Sequence, residues 1–222
     1  MRLPRFRFLL GLFPALCLVL PPAAQATAPV PLGGGSPLGI GSVYRCTAGF
    51  AATSATAGYL ITSAACGKPG DTVQSGGTPV GVVDAAPFPP DGAIVVRVTN
   101  TAAWRLVGTI PPVNGRVTIT GAVEAPIGAS VCRYGVATGW RCGTVLAKNQ
   151  TITYPQGTLS GLTRTNVCAE PGDTGGPFVS GTQAQGVLVG GSGNCAGGGT
   201  SYFLPVAKVL ATHGLTILTG TS

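Results

Sequence analysis

Thr174 presents a hydroxyl within a turn-forming run, Gly172-Asp173-Thr174-Gly175-Gly176-Pro177, at the centre of the longer stretch Asn166 to Phe178. These residue types suit nucleophilic attack on a carbonyl. A free hydroxyl is a poor nucleophile at neutral pH, so that chemistry needs a neighbouring base to take the proton and return it to the leaving group. The chain has a single histidine, His213. It falls at the end of a predicted helix close to the C-terminus, where a cation or a solvent-facing ring is ordinary. A candidate nucleophile is therefore present without an evident base.

The cysteines speak to compartment. Residues 1 to 26 combine a basic start (Arg2, Arg5, Arg7), an apolar run from Phe8 to Leu20 interrupted by Pro14, and the small-residue sequence Ala24-Gln25-Ala26. This pattern predicts a secretory signal peptide. Cys17 raises the alternative of a lipid anchor, but Leu16 stands before it, where a lipoprotein signal wants a small residue. Beyond the leader lie six cysteines, Cys46, Cys66, Cys132, Cys142, Cys168 and Cys195. An even number in an exported chain predicts disulfides, in a pattern that spacing alone leaves open. The absence of a C-x-x-C pair and the single histidine argue against zinc.

Charged residues make up 9% of the chain, while 36 glycines and 19 prolines point to many turns between short strands. Removing the leader leaves ten basic residues against six acidic ones, a net charge of +4. The basic residues are scattered without aromatic interleaving, which excludes a nucleic-acid surface and leaves at most a mild attraction to anionic cell-wall polymers.

The elements that must position Thr174 read as β-strands. Thr27 to Ser42 is an extended lead-in. Strands are predicted over Val43 to Phe50, Gly58 to Thr62, Val80 to Val83, Ala93 to Val98 and Arg116 to Thr120. After the break at Pro111-Pro112, further strands are predicted over Ala129 to Arg133, Cys142 to Leu146, Gln150 to Tyr154, Gln185 to Val189 and Thr200 to Leu204. One helix is predicted, beginning at Pro205, covering Val206 to His213 and stopping at Gly214. Asn149-Gln150-Thr151 fits a glycosylation sequon, a tripeptide that also arises by chance.

Several separated segments together resemble the bacterial chymotrypsin-like (S1, trypsin-like) serine proteases of the alpha-lytic protease and streptogrisin group. They are Tyr44 to Phe50, Gly58 to Cys66, Val131 to Gly135 with Thr138 to Gly143, and Thr165 to Asp173 followed by Gly190 to Cys195. The resemblance implies an all-β fold of two orthogonal antiparallel β-barrels with a C-terminal helix. The first barrel would span about 42–112, the second about 113–204 and the helix about 205–214. It also implies the disulfides Cys46 to Cys66, Cys132 to Cys142 and Cys168 to Cys195. The group is commonly made with a long pro-segment, whereas only a short stretch separates the predicted leader from the domain, so the chain either folds unaided or needs no such kinetic trap, the second fitting a protein that does not have to survive its own proteolysis.

The departures cluster on the chemistry. In the family a histidine immediately precedes the cysteine of the Gly58 to Cys66 segment, and here that residue is Ala65. The orienting carboxylate is matched by Asp91. Counting back from Arg97 would place Gly92 there instead, with Asp91 a turn residue after Pro89-Pro90. Thr174 replaces the nucleophilic serine, its extra methyl restricting the side-chain torsion. Val189, ahead of the substrate-wall residues Gly190 and Gly191, stands where the family usually has a serine that hydrogen-bonds the triad aspartate.

Other parts read as kept. The backbone amides of Gly172 and Thr174 would form an oxyanion hole, and Asp173 would pair with Arg133, unless both charges face water. The strand from Val187 to Gly191 would accept an extended peptide by β-pairing or serve simply as a barrel strand. The sequence thus predicts a secreted, monomeric protease homologue without cofactor or metal and without membrane attachment after leader cleavage. It would bind a peptide or protein in the inter-barrel cleft, or a cell-surface component. The alternatives are a serine-type endopeptidase of weak or atypical activity through Thr174, and a purely structural or decoy protein.

Overall fold

The computed structural model describes residues 28–41, 44–84, 92–110, 117–154 and 157–220. The predicted leader and Asp91 lie outside these residues.

The chain is almost entirely β. Its first half carries β1 (Val30–Leu32), β2 (Pro37–Ile40), β3 (Tyr44–Thr47), β4 (Phe50–Thr53), β5 (Gly58–Ser63), β6 (Thr72–Ser75), β7 (Thr78–Val83) and β8 (Ala93–Val98). Three short strands follow, β9 (Trp104–Leu106), β10 (Thr109–Ile110) and β11 (Val117–Thr118). The second half carries β12 (Ser130–Gly135), β13 (Gly139–Tyr154), β14 (Gly157–Thr165), β15 (Pro177–Ser180), β16 (Gln183–Asn194) and β17 (Gly198–Pro205). Helix α1 (Val206–His213) and β18 (Thr216–Ile217) close the chain.

The first half forms an eight-stranded sheet in the order β18-β4-β5-β8-β7-β6-β2-β3, so the C-terminal β18 returns to complete the N-terminal unit. The second half closes into a barrel, β12-β13-β14-β17-β16-β15. Closure gives every barrel strand a neighbour on each side over at least part of its length and so covers most of the ladders an open sheet would leave exposed. A core cluster joins the halves. Phe50, Ile61, Ala93 and Val95 of the first pack with Leu162, Val187, Val189 and Leu204 of the second.

Local sequence explains the elements that hold the site. β8 reads Ala-Ile-Val-Val-Arg-Val, a β-branched run buried everywhere except Arg97, as a central strand covered on both faces must be. Helix α1 buries Val206 and Val209, three residues apart on one face. It ends where Gly214 takes the left-handed conformation (φ 61°) and the Leu215 amide donates back to Leu210 O at 2.9 Å.

Several strands depart from the periodicity, including β6, β14 and β15, which it does not predict, and a longer β16; two of the departures show their cause. The expected strand Val43 to Phe50 breaks at Ala48 and Gly49, because its amides change partners there. The Thr47 amide donates to Thr174 O, that of Ala48 to Ser36 O, and that of Gly49 to Ile61 O. Cys142 to Leu146 and Gln150 to Tyr154 belong to one 16-residue strand, β13. Register shifts between Val145 and Ile152 carry it past the break in pattern, with Asn149 at φ 56°.

Candidate active site

The Thr174 turn lies between β14 and β15 and is held on both sides. Toward the first half, the Thr47 amide donates to Thr174 O at 2.9 Å, and the Thr47 hydroxyl donates to Gly172 O at 2.8 Å. Toward the second, the Gly175 amide donates to Leu188 O at 2.8 Å and the Leu188 amide to Gly176 O at 2.9 Å. The glycines are required by space. A Cβ on Gly175 would strike Thr62 Oγ1, and one on Gly176 would strike Tyr134 O. Gly175 also has φ 84°, a conformation that side chains resist.

Asp173 anchors the turn from below. Its carboxylate and the Arg133 guanidinium are both fully buried, with Arg133 Nη2 donating to Asp173 Oδ2 at 2.8 Å. The same carboxylate accepts from the Thr138 hydroxyl at 2.7 Å and from the amides of Ala137, Thr138 and Glu170 at 3.0, 3.1 and 2.9 Å. Arg133 Nε donates to Cys168 O at 2.8 Å. Burial pushes the guanidinium below the ordinary arginine range, while the charge of Asp173 and its hydrogen bond push it back up. Thr138 and Thr47 are contributors that sequence reasoning missed. Nothing in their local pattern sets them apart from other threonines.

Ala65 lies in a short 3-10 turn, Ala64–Cys66, directly after β5. Ser63 caps the turn by accepting from the Ala65 amide at 3.2 Å, and the Ala65 methyl faces solvent. The neighbouring Cys66 Sγ sits 3.8 Å from Thr174 O, so the Ala65 turn and the Thr174 turn abut. The Ala64 amide donates to Gly92 O at 3.0 Å, which ties the segment emerging after Asp91 to the same place. Ala65, Thr174 and the chain around Gly92 thus converge. His213 lies on α1.

The three disulfides Cys46–Cys66, Cys132–Cys142 and Cys168–Cys195 are those the resemblance implies. The first staples β3 to the Ala65 turn. The third links the Thr174 loop to the end of β16, with Cys195 N donating to Glu170 Oε1 at 2.8 Å. Among the described residues the amides of Gly172 and Thr174 donate to no carbonyl or side chain.

Val189 is buried in the core cluster shared by the two halves, so its isopropyl group supplies packing where a hydroxyl would need a partner. Gly190 and Gly191 follow on β16 opposite Tyr202 and Ser201. A Cβ on Gly190 would strike the Tyr154 hydroxyl, which places that phenol against the wall. Burial first, and the charge of Tyr202 second, hold the Tyr154 hydroxyl above the usual tyrosine range. The folded state thus keeps this proton more tightly than the unfolded chain. Tyr154 supports the fold below its unfolded pKa and withdraws that support as pH rises through the higher folded value. An alkaline absorbance titration should show one tyrosine ionising late, and Tyr154→Phe should remove that phase.

The model of the family described as Trypsin matches residues 51–212. Streptogrisin-C of Streptomyces griseus is 42% identical over 94% of the chain, which spans 46% of that protein's length. Glutamyl endopeptidase 2 of the same organism is 34% identical over 84% of the chain and 98% of its own length. Among solved structures, Thermobifida fusca protease A superposes with a TM-score of 0.79 at 42% identity, over 86% of this chain and all of that one. Nocardiopsis protease gives the same TM-score and coverage at 46% identity. With the closed barrel, the Gly-Asp-Thr-Gly-Gly-Pro turn and its buried Arg133–Asp173 anchor, these matches establish that the chain belongs to the trypsin family, in its bacterial chymotrypsin-like branch.

Proposed function

We propose that this protein is an exported trypsin-family homologue that has lost proton-transfer chemistry and keeps a cleft able to bind extended peptide. The observation that carries the reading is the Ala65 methyl on the turn abutting Thr174. A methyl group cannot accept the hydroxyl proton, and the chain's single imidazole, His213, is placed on α1. Val189 adds to it, since an apolar side chain cannot hydrogen-bond an orienting carboxylate. Export is supported by the three disulfides and by the leader-like residues 1 to 26.

Peptide binding is supported by the edge of β16. Among the described residues, β15 accompanies β16 only as far as Val187, and the Gly175 and Gly176 bonds extend this cover to Leu188. From Val189 to Asn194 only β17 lies alongside, leaving backbone groups open to an added strand. A second reading rests on the surviving hydroxyl of Thr174 beside two available amides, which suits slow hydrolysis with a water or a substrate group as base.

The test is to incubate the mature protein, made in a host lacking secreted proteases, with a mixed peptide library and with a fluorophosphonate probe. No turnover above the Thr174→Ala variant and no labelling of Thr174 are expected. Hydrolysis that Thr174→Ala abolishes would overturn the inactive reading in favour of the second.

A further inference from the structure

An open groove of about 630 Å³ runs beside the oxyanion turn, with walls from both halves of the molecule. Its volume lies within the range of ligand clefts. Leu38 and Gln74 line it from the first half and Val136 and Gly172 from the second, and Arg45 lines it beside Cys46, one half of the disulfide that staples the Ala65 turn. Arg45 is the one ionic side chain in this lining. It is exposed, and among the described residues it takes part in no ion pair. The open edge of β16 reaches the Thr174 turn on its Gly175 and Gly176 side, while the groove meets the turn at Pro171 and Gly172. A chain paired with β16 and passing Thr174 therefore runs on into the groove.

We infer that the groove selects an extended peptide bearing Asp or Glu side chains just beyond the residue held at Thr174, with Arg45 as the specificity-determining cation. The inference rests on the peptide-binding reading above and adds the chemistry of the ligand. A carboxylate there meets a guanidinium fit for paired hydrogen bonds, and the Asp71 carboxylate, which stands beside the lining residue Gly41, is already paired with Lys68. The walls of Leu38 and Val136 exclude part of the surrounding water, which strengthens the attraction.

The test uses the mature protein and two fluorescein-labelled, C-terminally amidated peptides, Ala-Ala-Ala-Leu-Ala-Glu-Glu-Ala and its twin with Gln for both Glu, read by fluorescence anisotropy. The Glu peptide should bind about fivefold more tightly, the size of one exposed ion pair, and added salt should narrow the gap. Arg45→Gln should bring the Glu peptide to the level of its twin. Lys208→Gln, an equal charge change on α1, should leave the preference in place. Equal binding of both twins to the wild type, or a preference that survives Arg45→Gln, overturns the role of Arg45. Failure of both twins to bind the wild type instead overturns the peptide-cleft reading, and this inference with it.

Discussion

Replacing Asp173 with alanine should cost about 3–5 kcal/mol of folding free energy, because it strands the fully buried Arg133 guanidinium without its counter-charge. At roughly 2–4 °C per kcal/mol for a domain of this size, calorimetry should record a fall on the order of 10 °C. Replacing a buried pair with apolar groups often recovers such losses. Here a double variant, Arg133→Leu with Asp173→Ala, should recover only part. The carboxylate also satisfies the amides of Ala137, Thr138 and Glu170, and these would still lose their acceptor. A fall of about 2 °C or less in the single variant would mean that the turn is held from elsewhere.

Introducing Ala65→His, Thr174→Ser and Val189→Ser together should create hydrolysis of peptide substrates. A complete triad supplies on the order of 10⁶ in kcat in related chemistry, so recovery of even a thousandth part would exceed the wild type by about 10³-fold. The geometry favours success at two of the three positions. The Ala65 methyl is exposed on a capped turn and the Thr174 turn is anchored from three directions, so neither change disturbs packing. Val189→Ser removes apolar volume from the core between the halves and buries a hydroxyl, so it should cost about 1–3 kcal/mol unless that hydroxyl finds a carboxylate. Adding Asp91→Asn to the active variant should lower kcat by about 10⁴ if Asp91 orients the imidazole. A folded triple variant without activity would mean that the cleft geometry has been lost along with the chemistry.

Much of the site was legible because the residues that carry it are chemically singular. Gly175 and Gly176 stand in a run legible as turn-forming, and the structure shows that both positions require glycine, since a Cβ there would run into Thr62 or Tyr134. The helix from Val206 to His213 was legible from the Pro205 before it and the Gly214 stop after it, both local signals. The break at Ala48 and Gly49 was hidden because it follows from hydrogen bonds to Ser36, Ile61 and Thr174, none of them a sequence neighbour. The unity of β13 was hidden by bulges, which disrupt the alternation by which strands are recognised. Thr138 and Thr47, which clamp Asp173 and Gly172, gave no signal at all, since a threonine's partners depend on what the fold brings to it.

The sequence by itself determined the chemical inventory: a hydroxyl at Thr174, a methyl at Ala65, one imidazole at His213 and six cysteines beyond residue 26. No folding can add a proton acceptor to Ala65. Only the tertiary structure decided which of these groups share a location. Cys66 and Thr174, 108 residues apart, are brought within 3.8 Å because the closed barrel presents its β14–β15 loop to the end of β5. Hydrogen bonds between the halves and the shared core around Ile61 and Val187 hold that contact, and no local pattern encodes contacts made across such a distance in sequence.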